Sequence, residues 1–171
     1  MSSIIFGVLV TLICLVFFPD YPSKTPFTEF WWSVFIMLAV AKTLFIASGI
    51  GVIRSMRIYK ELYPEATTTP EFGKQMQGAI AYTLLNLPLV AVGLKLSAWL
   101  PVGVDFLGIV LSFFIFRFVR RRAANIAVPD SVPTEKKERY KDYVALADLS
   151  IYAWRPAALV AILTCVSAWS L

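Results

Sequence analysis

From Trp31 to Ile53 the chain reads WWSVFIMLAVAKTLFIASGIGVI, an apolar run with one charge in it. About 20 mostly apolar residues cross a bilayer, so this stretch is long enough to span one. Trp31 and Trp32 open it, and Arg54 and Arg57 close it, an arrangement of interfacial aromatics and flanking cations. The charge is Lys42, halfway along. At 1.5 Å per residue it lies roughly 16 Å below Trp31, near the midplane. An ammonium there costs at least ~2.5 kcal/mol on insertion scales, so it is expected to face protein or water rather than lipid.

The rest of the chain agrees with a membrane setting. Only 16% of its 171 residues are charged, against about 25% in soluble domains. Its mean hydropathy is +0.72. The expected class is an all-α, polytopic integral membrane protein forming a single transmembrane domain over residues 1–171. Spans are expected near residues 3–18, 31–53, 79–100, 102–119 and 150–171, five in all, or four if the first run does not cross. No cation precedes that first run and no A-x-A site follows it, which argues against a cleaved leader.

Start and stop signals divide the chain. Thr25-Pro26 with Glu29 opens a helix that continues to about Leu62, where Tyr63-Pro64 stops it. Thr69-Pro70-Glu71 repeats the opening signal for a helix reaching about Trp99. Pro88 predicts a kink in it, and the amide of Asn86 can bond a freed backbone group or reach a neighbouring helix. Trp99 to Gly103 reads as a tight turn, and Val104 to Val119 as the return. Thr134 to Ala147 reads as a surface helix. Its Tyr140, Tyr143 and Val144 share one side, for a membrane surface or a partner. In the central span Ala39, Thr43, Ala47 and Gly51 fall four apart, a stripe of small residues that lets another helix come close.

Orientation follows from the cations. Arg54–Lys74 holds four and Arg117–Lys141 holds eight, whereas the intervening loops on the other side hold only Lys24 and Lys95. That bias places segments 54–78 and 120–149 on the cytoplasmic or matrix-like side of an inner or plasma membrane. With five spans the N-terminus is cytoplasmic and the C-terminus lies opposite.

Several chemistries are missing their residues. With no histidine there is no His-ligated haem, zinc or copper and no His-based triad. Cys14 and Cys165 sit in apolar runs and read as small core residues. Neither phosphate-loop glycine pattern occurs. No catalytic residue, metal site or intrinsic cofactor is expected. Bound phospholipid is, with pigment or quinone contact left open.

The +5 net charge does not point to nucleic acid, because the cations end apolar spans. Arg117, Arg120, Arg121, Arg122 and Arg155 are expected at anionic lipid headgroups. Lys42 and Asn86 are the candidates for contact with a partner or a bound anion. Measured from the span ends, no Asp or Glu reaches Lys42's depth, and Asp105 falls near the outer face. A carbonyl, a polar side chain such as Asn86, a bound anion or a carboxylate on another subunit is therefore expected to meet it.

Tyr82-Thr-Leu-Leu-Asn-Leu-Pro-Leu89 resembles the second helix of the MAPEG family, small four-helix glutathione-linked membrane enzymes. There an Asn and a Glu precede the Leu-Pro-Leu turn. Here Tyr82 and Leu85 stand in their places, so no thiol-binding residue carries over. Three functions fit the sequence: a non-catalytic accessory subunit of a larger membrane complex, a small transporter or channel component, and a MAPEG-like membrane enzyme. The first leads, with other membrane subunits and anionic lipids as partners.

Overall fold

One helix organises the bundle. In the computed structural model, which describes residues 29–96 and 99–169 with side chains over 34–94 and 99–168, α1 runs unbroken from Glu29–Leu62. At 1.5 Å per residue it is roughly 50 Å long, well over the ~30 Å of a hydrocarbon core. It packs against every other helix: α2 (Phe72–Leu96), α3 (Leu100–Ala123), α4 (Lys137–Tyr152) and α5 (Trp154–Trp169). A short 3-10 turn, Thr134–Lys136, precedes α4. There is no strand among the described residues.

Four stretches are long and apolar enough to cross a membrane: Val34–Leu62, Phe72–Leu94, Leu100–Ala123 and Thr134–Ala168. The chain is an all-helical membrane protein on that basis. The expected first span at residues 3–18, the Thr25-Pro26 helix start and Cys14 lie outside the described residues.

Contacts fix the directions. Gly108 of α3 abuts Thr43 of α1, and Phe116 of α3 meets Arg54, so α3 runs parallel to α1. Tyr143 of α4 meets Tyr59 with ring centroids 5.0 Å apart, while Ser150 meets Ser48, so α4 is antiparallel. α5 carries on in that direction, with Ala157 and Ala161 among Ala41 and Phe45, and Ala168 beside Val34. Only Ala153 interrupts α4 and α5. Pro156 explains the break: it has no N–H for the Tyr152 carbonyl, and its ring crowds that carbonyl. Together α4 and α5 form one bent partner that matches α1 in length.

This corrects the expected surface helix. The helix does not end at Ala147, and its Tyr140–Tyr143–Val144 side does not wait for a membrane or a partner. Tyr143, Leu146 and Ala147 are buried in a cluster with Ile58 and Leu62 of α1. A hydrophobic side on a charged helix has the same pattern whether lipid or its own chain covers it.

Two starts also differ from expectation. α2 begins at Phe72, with Pro70 and Glu71 in a turn. Thr69 accepts the first bond through its carbonyl, from Phe72 N at 3.1 Å, and its hydroxyl turns to Gln75 Oε1 at 3.2 Å instead of capping. α3 already starts at Leu100, with Pro101 in the first turn, where a missing N–H costs nothing. It also continues past Val119 to Ala123.

The small-residue stripe lies inside the bundle. Ala39, Thr43, Ala47 and Gly51 are all buried. A Cβ on Gly51 would stand 3.1 Å from the Leu146 carbonyl oxygen and 3.3 Å from Ser150 Cβ. Gly51→Leu is therefore expected to push α4 off α1 at a cost of about 1–3 kcal/mol, read as a fall in the melting temperature of the purified protein. Gly73→Ala, at an exposed position with open space around it, should not lower it.

Candidate functional site

Three helices bring polar groups together around Lys42. It is 1% exposed, as is Asn86 of α2, and Asp105 of α3 is 6% exposed. The Lys42 ammonium donates to Asn86 Oδ1 at 2.5 Å and pairs with Asp105 Oδ1 at 3.0 Å. The ring of Tyr82, one turn before Asn86, has its centroid 6.0 Å from Nζ. Asn86 Nδ2 is buried with no hydrogen-bond partner among the described residues.

Asp105 overturns the expectation that no carboxylate of this chain reaches Lys42. Depth was measured from Trp31 on one helix and from the Trp99 turn on another, as if both helices began in one plane. They do not. Pro101 lies within reach of Gly93, which also neighbours Leu38, so α3 begins near the level of Leu38. Gly108 then sits beside Thr43, and Asp105 lies about one turn outward of it. Helical side chains lean toward their own N-terminus, so the Lys42 stem points outward too. The long stem and the recessed start of α3 close the distance. No companion subunit is needed to meet this amine.

A second buried polar cluster joins the helices closer to the basic end. Gln75 of α2, 1% exposed, donates through Nε2 to Ser55 Oγ at 3.1 Å and to Ser150 Oγ at 3.0 Å. Its Oε1 accepts from the Thr69 hydroxyl. Ser150 Oγ donates to the Ala147 carbonyl at 2.6 Å, and Ser48 Oγ donates to the Ser150 carbonyl at 2.8 Å. Beyond it, the Tyr143 hydroxyl donates to Glu71 Oε2. Gln75 thus ties α1, α2, α4 and the Thr69 loop. A polar residue in the first turn of a helix carries no signal in the sequence of which neighbours it will meet.

The remaining candidates lie on the outside. Arg117, Arg120, Arg121 and Arg122 are exposed along the last turns of α3, where cations suit the helix dipole. Arg122 stacks on Phe118 at 5.1 Å, and Arg120 faces Asp142 at 4.0 Å. Arg155 is exposed against Tyr152 and Trp154, 6.0 and 5.8 Å from their rings. Cys165 is a half-buried free thiol packed against the core clusters. No group of three or more His, Cys, Asp or Glu side chains that could hold a metal occurs among the described residues.

No protein-family model matches the chain, and no curated protein or solved structure was found to be similar to it. The resemblance of Tyr82–Leu89 to the MAPEG enzymes rests on those eight residues alone. The polar residue that matters in that stretch, Asn86, is engaged with Lys42.

What this arrangement does chemically is hold charge. Breaking a buried ion pair from one side costs about 3–5 kcal/mol, because the other charge stays behind. Lys42→Met or Asp105→Leu alone should therefore sharply lower the melting temperature. Lys42→Met with Asp105→Leu should recover most of the loss, and a strictly additive double variant would show that the two groups are not coupled.

Proposed function

We propose that this chain is a non-catalytic subunit of a larger integral membrane assembly, a respiratory or photosynthetic complex for example, in which it packs against partner helices and lipids. The observation that supports this most is the surface of α3. This span is as apolar as α1, yet 28% of its most apolar stretch is buried within the chain against 50% for α1. Phe106, Phe113, Phe114 and Phe118 all stand exposed along it. Aromatic side chains offer large, rigid contact area to a neighbouring helix. The polar groups turned inward on Lys42 and Gln75 are engaged within the bundle, which suits a packing element better than a reactive site. Lys42 and the small-residue stripe lend the assembly no support, since Asp105, α3 and α4 occupy them. The basic end, carrying Arg54–Lys74 and Arg117–Lys141, faces the cytoplasmic or matrix-like side in this reading.

Solubilisation from its own membrane in mild detergent, followed by native mass measurement, is expected to give a hetero-complex. Phe106→Ala with Phe114→Ala should shed the partner while the bundle still melts cooperatively. Recovery of the chain as a lone monomer would defeat the proposal.

One observation favours a second reading. Intramembrane ionisable groups mark ion and proton paths by default, and the buried Asn86 Nδ2 beside the Lys42–Asp105 pair has no partner among the described residues. As a small transporter, the chain would move protons or ions past this cluster. Proteoliposomes of the purified protein would then show a flux that Asp105→Asn abolishes. No flux above empty vesicles would dismiss it.

A further inference from the structure

At the basic end, α1 and α3 line an open groove of about 430 Å³. Its lining is Arg54 from α1 and Phe113, Phe116, Arg117, Arg120 and Arg121 from α3. Four guanidinium groups therefore share one open pocket. Asp142, 4.0 Å from Arg120, is the one carboxylate that pairs with any of them among the described residues. Arg54, Arg117 and Arg121 form no ion pair among the described residues.

A helix C-terminus explains part of this charge, but only part. Arg120 and Arg121 lie in the last turn of α3, where cations offset the dipole. Arg54 does not belong to that set. It comes from a different helix, about two turns before α1 ends at Leu62, and its guanidinium lies 5.1 Å over the Phe116 ring. That stack holds a fourth guanidinium beside the three α3 arginines of the groove despite the repulsion of like charges. Planar guanidinium forks bind phosphate oxygens in pairs, and several together recognise a group with more than one negative charge. The aromatic side of the groove supplies the apolar surface on which the rest of a ligand could lie. Its volume falls within the range of small-molecule sites and exceeds what a single phosphate needs.

From this convergence we infer that the groove between α1 and α3 is a binding site for a phosphate group that carries more than one negative charge, held by Arg54, Arg117, Arg120 and Arg121. The ligand is either the headgroup of an anionic lipid, with its acyl chains beside Phe113, or a soluble phosphate compound. Both share the chemistry the arginines recognise. A general attraction of basic loops to an anionic membrane surface would depend on total charge, whereas this site depends on Arg54 and Arg117 in particular.

The test uses the purified full chain in two arms. Native mass measurement would follow retention of phosphatidic acid against phosphatidylcholine. Calorimetry on the protein in phosphatidylcholine nanodiscs would follow inorganic pyrophosphate. Phosphatidic acid is expected to be retained at least tenfold over phosphatidylcholine. Arg54→Gln with Arg117→Gln should lower its affinity by tenfold or more, while Arg139→Gln, an exposed cation of the same end, should leave it unchanged. Should that double variant fail to fold, Arg121→Gln at an exposed position is expected to weaken retention severalfold. Pyrophosphate binding lost in the same variants, without lipid selectivity, would support the site and assign it to a soluble phosphate. Absence of binding in both arms, or equal binding by the wild type and these variants, would overturn the inference.

Discussion

Lys42 has to be neutralised, and much of the bundle's geometry serves that need. An ammonium in the middle of a long apolar helix cannot face acyl chains at acceptable cost. Asp105 and Asn86 must therefore come to it, and each is carried on a different helix. For Asp105 to arrive, α3 has to start below the outer end of α1 and run close alongside it. Gly108 permits that approach, since a Cβ there would meet Ile46 Cδ1 at 2.8 Å. For Asn86 to arrive, α2 must cross with its Tyr82–Asn86 side inward, which puts Tyr82 against Phe45 with ring centroids 5.3 Å apart. One charge thus specifies the rotation of α2 and the height of α3.

The Gln75 cluster completes the specification at the other end. Membrane helices gain little from exchanging lipid contact for contact with each other, so polar side chains and close backbone approach decide who packs with whom. Near the middle of α1 an ion pair and an amide make that choice for α1, α2 and α3. Near the basic end Gln75, Ser55 and Ser150 make it for α1, α2 and α4. Ala39, Ala41 and Ala47 are small enough for the helices to approach α1 closely at and beside these knots. Slipping α2, α3 or α4 along α1 by one turn would break at least one of the two.

Much of this plan was legible in the sequence, and the misses share a physical cause. The stop of α1 before Tyr63-Pro64 follows from chain-local signals. So does the expectation that Lys42 avoids lipid, because the penalty for facing lipid is a property of the residue itself. Asp105 was missed because its depth depends on where α3 begins relative to α1, a quantity that no local pattern encodes. The course of α4 was missed for a related reason. Tyr140, Tyr143 and Val144 reveal an apolar side, but lipid, a partner and α1 would all satisfy it. Gln75 and Arg54 gain their importance from neighbours supplied by other helices. Local chemistry shows which groups need company, and only the packing shows which groups provide it.

That distinction bears on what the molecule is for. An unpaired amine within the membrane would have pointed outward, to a second chain. A paired one points inward, and the bundle becomes a unit that satisfies its own charged interior. Under the two proposals made above, its dealings with other molecules fall to two surfaces that the inward bonds leave alone: the phenylalanine-bearing side of α3 and the arginine groove at its end. Both lie on α3, which is as apolar as α1 yet less covered. Asp105 anchors that helix to the centre of α1. The element that fixes the fold is also the one that holds the outward surfaces in place.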